Sequence, residues 1–246
     1  MFHELVNSDI VLTNARGVHG PVVAEHVIAL IFALAKKLPG SVRLQEKHTW
    51  GQQILWDELP RVREVAGATL GIVGLGSIGR AVAKSAKALG MQVIAVREHP
   101  EKGREGADAI FSPAQVDEVF RQSDYIILAA PVTDSTKAIA NAERLALMKP
   151  DACLINVGRG PLIDEAELAV ALRERKIGGA ALDVFPKEPL PADSPLWDVP
   201  NLLITPHTAA LTDKLWERHY TLFAENLRRF LNGQSLLAVV DKRKGY

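Results

Sequence analysis

The residues with the clearest chemical spacing are the glycines of Gly74-Leu75-Gly76-Ser77-Ile78-Gly79. Such a pattern carries weight only where it closes a strand and opens a helix. Residues 69–74 (TLGIVG) read as a strand and residues 77–89 as a helix ended by Gly90, so the setting of a dinucleotide fingerprint is met. Gly74 then permits the tight turn, Gly76 lets the backbone approach a pyrophosphate, and Gly79 lets helix and strand pack closely. The free N–H groups around Ser77 and Ile78, at the positive end of the helix dipole, suit the phosphate charge.

The end of the second strand of such a unit faces the adenosine ribose. An acid there accepts hydrogen bonds from the 2′-hydroxyl of NAD. This sequence reads AVREHP, with Arg97 in that place, 18 positions after Gly79. A guanidinium offers a charged fork to a 2′-phosphate and so favours NADP. Glu98, one step on, would restore an acid after a one-residue shift and keeps NAD open.

These residues need a scaffold, and the pattern from Ala66 onward supplies one. Apolar runs at 69–74, 91–96, 125–130, 152–157, 178–184 and 201–205 alternate with helical stretches at 77–89, 113–121, 141–147 and 164–175. Strand and helix in alternation predict a parallel sheet covered on both faces, an α/β Rossmann-like doubly wound fold. Before it, DIVLTN (9–14) reads as a strand. A helix from Pro21 to about Leu38, apolar on nearly every face apart from Glu25, His26, Lys36 and Lys37, must be buried by its own domain or by a partner. A helical segment to about Trp50 and a loop bearing Trp50 and Trp56 follow. The last helix, about 211–232, repeats leucine at 211, 215, 222, 227 and 231 with one wet face.

Composition narrows the classes of function. Lysine and arginine total 29 and so do aspartate and glutamate, without long runs of either sign, so nucleic acid and anionic membranes have no electrostatic support as partners. Cys153, the only cysteine, excludes an intrachain disulfide and reads as a small buried side chain in ACLINV. No stretch resembles a signal peptide or reaches the length of a membrane span, so a cytoplasmic location is expected. The histidines at 3, 19, 26, 48, 99 and 219 show no metal-ligand spacing, and no metal is expected.

The runs LINVGRGPLIDEAELAVAL, ALDVFPKEPLPADSPLW and NLLITPHTAA, in this order and spacing, resemble the D-isomer-specific 2-hydroxyacid dehydrogenase family, over about residues 9–235. The resemblance implies hydride transfer between a nicotinamide cofactor and a small 2-oxo or D-2-hydroxy acid. It places Arg159, in the NVGRG turn, on the substrate carboxylate and 2-oxo oxygen, and Val157 and Gly158 of the same turn against the cofactor. A planar, permanently charged donor fits that task. It gives His207 the proton transfer to and from that oxygen, and it sets Glu188 to hydrogen-bond the imidazole and favour its protonated form. It aligns Asp183 with the residue that orients the nicotinamide carboxamide, and Pro131 and Thr136 with a loop beside the adenosine.

Family members run to more than 300 residues and begin with a flavodoxin-like substrate domain. Against that pattern residues 1–20 read as a remnant of the substrate domain, 21–208 as the dinucleotide-binding domain and 209–246 as a C-terminal helix returning to the former. Turnover without the remainder of the substrate domain is the point this departure puts in doubt. A cofactor-sensing module without turnover, like the family's corepressor relatives, is the alternative. The helix from Pro21 resembles the arm through which the family forms two-fold dimers, so a homodimer is expected.

Overall fold

Residues 3–243 are described by a computed structural model. The apolar runs form β1 (Thr69–Val73), β2 (Gln92–Val96), β3 (Ala109–Phe111), β4 (Tyr125–Leu128), β5 (Cys153–Asn156), β6 (Gly179–Leu182) and β7 (Leu202–Ile204). They make one sheet in the order β3-β2-β1-β4-β5-β6-β7, with every neighbouring pair parallel. This is the expected doubly wound α/β sheet. Because all strands point the same way, their C-terminal ends lie along one edge. The strand order reverses between β1 and β4, which opens a crevice at that edge.

The helices are α1 (His3–Val6), α2 (Gly20–Ala35), α3 (Leu38–Glu46), α4 (Gln52–Asp57), α5 (Ser77–Ala88), α6 (Val116–Gln122), α7 (Ala142–Leu147), α8 (Glu165–Arg173) and α9 (Leu215–Leu231). Successive strand residues feed opposite faces, as a pleat requires. Tyr125 and Ile127 of β4 join the core made with α2 and α5, whereas Ile126 and Leu128 join the one made with α6, α7 and α8. The apolar α2 is buried by its own chain: Val22, Val23, Val27, Leu30 and Ile31 pack in the core that α5 shares. Cys153 sits in that same layer, and burial pushes its thiol up to about 11, which leaves it inert as a nucleophile. Among the described residues no helix is long and apolar enough to cross a membrane.

Three expectations need correction. DIVLTN is not a strand: Ile10 and Val11 are exposed, and only Thr13 forms a bridge, to Val239. An extended run becomes a strand only where a neighbour completes its ladder, and here just two flanking bonds join it to Ala238 and Val240. Trp56 lies in α4 instead of a loop. The last helix starts at Leu215, later than its leucine period suggests, because residues 211–214 form turns: Leu211 N donates to Thr208 O, and Lys214 N donates to the Thr212 hydroxyl. It presents no buried residue, and Trp216, Tyr220, Phe223 and Phe230 are exposed. Strand β3 is an addition that three residues of sequence were too short to announce.

Candidate active site

The singled-out residues lie in the segments that follow the strand ends along the crevice edge. After β1 comes Gly74, whose φ of 103° suits glycine alone and whose absent Cβ would lie 2.7 Å from Ala130 N. A Cβ on Gly79 would lie 2.3 Å from Gly74 O, so strand and helix meet at a distance that any side chain would prevent. Gly76 differs: a Cβ there would meet nothing within 4 Å. Gly76 is the N-cap of α5 with no side-chain cap, so the N–H groups beginning at Ser77 and Ile78 border open space. That is a cradle of the shape and polarity a pyrophosphate requires.

Beside it opens a cavity of about 710 Å³ lined by Gly74, Val96, Arg97, Glu98, Pro131 and Thr136. Arg97 follows β2 and donates through Nη1 to Gly103 O (2.7 Å). Thr136 donates to Pro131 O (2.7 Å) and accepts from Thr133 N (2.8 Å), so this pair builds one turn of the cavity wall.

Past β5, the buried Asn156 shapes the turn: its Oδ1 accepts from Gly158 N (3.1 Å) and its Nδ2 donates to Arg159 O (2.9 Å). Val157 and Gly158 are buried beneath, and Arg159 is exposed, with Nη1 donating to Gly158 O (2.7 Å). Gly160 then touches the loop after β6 so closely that a Cβ would lie 2.0 Å from Phe185 C and 2.1 Å from Pro186 N. This contact brings the arginine loop against the loop of Glu188.

Past β7 comes His207. Its φ is 54°, a left-handed conformation costing about 1–3 kcal/mol in a non-glycine residue. It is held there by its N–H donating to Asp183 O (2.9 Å) and Thr205 O (3.0 Å). The Asp183 carboxylate, buried, is engaged by the same loop: Oδ1 accepts from Thr205 Oγ1 (2.6 Å) and Thr208 N (2.9 Å), and Oδ2 from Ala209 N (3.0 Å). His26 of α2 stands 3.2 Å from Thr205 Oγ1. Thr205 gives its proton to Asp183, so His26 must be the donor.

The imidazole Nδ1 of His207 meets Glu188 Oε2 at 2.6 Å, and Glu188 Oε1 accepts from Phe185 N at 2.8 Å. Burial pushes the Glu188 carboxyl upward, but hydrogen bonds from His207 and Phe185 N, with the charges of His207 and Arg159, outweigh it and hold the group below its ordinary value. The pair is therefore complete above the ordinary carboxylate range and opens as pH falls through that lowered value. With Nδ1 on the carboxylate, Nε2 is the nitrogen left to exchange a proton, and the His207 side chain is half exposed.

Arg159, Glu188 and His207, from the loops after three different strands, are thus gathered within electrostatic reach, while Gly74, Arg97, Pro131 and Thr136 line the neighbouring cavity and Gly76, Ser77, Ile78 and Gly79 form the start of α5 beside it. Sequence reasoning missed Asn156, Gly160, Thr205 and His26. Gly160 alone left a readable trace, as the glycine directly after the arginine. Replacing it by alanine must push the two backbones apart, so we expect a loss of about 1–3 kcal/mol in stability. Turnover should fall further than stability, with NADPH affinity little changed, in thermal melts and cofactor titrations of Gly160→Ala. Unaltered turnover would show that the contact does not set the site.

The match to known proteins agrees with this geometry. The family model described as D-isomer specific 2-hydroxyacid dehydrogenase, NAD binding domain, matches residues 28–209. A glycerate dehydrogenase of Methylorubrum extorquens is 36% identical over 230 residues, 92% of this chain and 70% of that protein. A D-isomer specific 2-hydroxyacid dehydrogenase from Xanthobacter autotrophicus, solved with NADPH and MES, is 33% identical with a TM-score of 0.84, covering 98% of each chain. An NADPH-dependent glyoxylate/hydroxypyruvate reductase of Sinorhizobium meliloti, solved with NADP and sulfate, is 30% identical with a TM-score of 0.83, covering 98% of this chain and 74% of that one.

Proposed function

The chain belongs to the D-isomer-specific 2-hydroxyacid dehydrogenase family, and from that premise we propose that it interconverts a small 2-oxo acid and its D-2-hydroxy acid at the edge where Arg159, Glu188 and His207 meet. It is an oxidoreductase that uses a nicotinamide cofactor. The residues fit that cofactor: the open space at Gly76 and the uncapped start of α5 suit the pyrophosphate, and the cavity by Pro131 and Thr136 suits the adenosine. Bound there, the nicotinamide supplies or accepts the hydride.

The chain's own side chains do the rest. Arg159 holds the substrate carboxylate and stabilises negative charge developing on the 2-oxo oxygen. His207, protonated, gives its Nε2 proton to that oxygen in reduction and recovers it in oxidation. Glu188 holds the ring through Nδ1 and stabilises the imidazolium between turnovers. Asp183, with Thr205 and His26, fixes the loop that carries His207; its carboxylate is committed mainly to this loop, and any contact with the carboxamide would use its remaining lone-pair capacity.

The 2.6 Å contact between His207 and Glu188, on the same edge as Arg159 and the glycine cradle, is the observation that carries the reading. The test is to mix the chain with NADPH or NADH and glyoxylate or hydroxypyruvate and follow the reduced-nicotinamide band. Consumption that depends on the 2-oxo acid is expected. Cofactor binding without turnover on any 2-oxo acid would favour the sensing module instead, a reading that the named enzymes among the relatives do not favour.

Two finer statements belong to the same proposal. NADP is the favoured cofactor, because Arg97 offers a cation where the 2′-phosphate would lie and both structural relatives above carry the phosphorylated dinucleotide. The working form is a homodimer. Since α2 is buried within its own chain, the surface for it is the exposed apolar face around α3 and α4, with Val42, Trp50, Ile54 and Trp56. A monomer in sedimentation at micromolar concentration would contradict this.

A further inference from the structure

The loop between β2 and β3 places an acid against the cations of the adenosine end. Glu105, exposed and held at a left-handed φ of 44°, points Oε2 at Arg80 Nε (2.9 Å) and lies with Oε1 3.7 Å from Arg97 Nη1. Gly103 (φ 91°) and Gly106 (φ 96°) on either side let the chain turn back sharply enough to do so. Arg80 in turn reaches from α5 toward Leu75 O in the glycine loop (3.4 Å). One carboxylate therefore sits across two guanidiniums, one by the pyrophosphate cradle and one by the ribose.

Glu105 does not position Arg97. Gly103 O does that, at 2.7 Å, whereas the 3.7 Å separation from Glu105 is too long for a hydrogen bond. What Glu105 contributes to Arg97 is negative charge, in the place where the favoured cofactor would bring a phosphate. On a partly screened surface, charge of the same sign at that range weakens binding of the phosphate and is felt far less by a ribose hydroxyl.

We propose that Glu105 sets the cofactor preference of this enzyme: its carboxylate competes with the 2′-phosphate for Arg97 and Arg80, and so moderates the preference for NADPH over NADH. This rests on the reading of Arg97 as the 2′-phosphate contact. Arg97 has further N–H groups in its fork, so both anions can be accommodated, with the phosphate bound more weakly than by an uncompensated arginine.

The experiment is a set of titrations of NADPH and NADH into the wild-type chain, Glu105→Gln, Arg97→Ala and the double variant, read by reduced-nicotinamide fluorescence. Glu105→Gln should raise the affinity for NADPH relative to NADH about fivefold, the scale of one partly solvated charge contact, with a smaller gain for NADH through Arg80 by the pyrophosphate cradle, and retained NADH binding also reports that the fold is intact. In the Arg97→Ala background the same substitution should have a smaller effect. If Arg97→Ala lowers the NADPH/NADH preference while Glu105→Gln leaves it unchanged or lowers it, the proposal for Glu105 is overturned and the reading of Arg97 stands. If Arg97→Ala leaves the preference untouched, the reading of Arg97 fails, and the proposal with it.

Discussion

His207→Ala lowers the rate of 2-oxo acid reduction by about 10²–10⁴-fold, the usual worth of a positioned proton donor, and leaves the NADPH dissociation constant unchanged. The split follows from placement. His207 stands past β7, held by Asp183 and Thr205, whereas the pyrophosphate cradle is built past β1 from Gly74 to Gly79. Removing the imidazole takes the proton source from the substrate oxygen without touching the α5 N-terminus. His207→Gln is the sharper variant, since it keeps a hydrogen-bond donor but cannot exchange a proton, and it should be nearly as slow. Steady-state rates beside fluorescence titrations decide the matter. A variant that keeps wild-type turnover would remove His207 from the mechanism, and one that loses cofactor binding as well would mark it as structural. Glu188→Gln bears on the same pair: it replaces the carboxylate that meets His207 Nδ1 at 2.6 Å by a neutral amide, so reduction should slow with NADPH affinity unchanged.

The second large effect falls on Arg159. Arg159→Ala removes the partner of the substrate carboxylate and a donor to the developing oxyanion, so kcat/KM should fall by about 10³-fold or more. Arg159→Lys should restore little, because an ammonium cannot reproduce two parallel N–H bonds from one plane. The loss should appear in both KM and kcat, since the charge is used in binding and again as negative charge moves onto the oxygen. A change confined to KM would limit Arg159 to binding. An unchanged kcat/KM for Arg159→Ala would put the substrate elsewhere.

How far these features could be read from the amino-acid order depends on how local each one is. Strands buried on both faces leave unbroken apolar runs such as YIIL and CLI, and the helices between them leave a 3.6-residue period, so the sheet was legible. The residues 9–14 misled for the same reason: their apolar content is local, but the ladder that makes a strand depends on a partner elsewhere. Strand β3 is too short for any period. At the site, the glycine cradle and the residues Arg159, Glu188 and His207 lay within recognisable runs. The contact of Gly160 with Phe185, the gathering of Thr205, Thr208 and Ala209 on Asp183, and the reach of Glu105 to Arg80 and Arg97 were not legible. Each depends on how two separate loops meet over the sheet edge, which no single segment records.

The central claim is that one crevice holds the dinucleotide and presents its nicotinamide to Arg159 and His207. A crystal structure of the chain grown with NADPH and a non-reducible carboxylic acid analogue of the substrate tests it most directly. The account predicts the pyrophosphate on the N–H groups of Ser77 and Ile78, the nicotinamide ring beside the acid, the acid's carboxylate on Arg159, and its 2-position oxygen within hydrogen-bond distance of His207 Nε2. A dinucleotide bound away from the α5 N-terminus, or an acid out of reach of both Arg159 and His207, would contradict it.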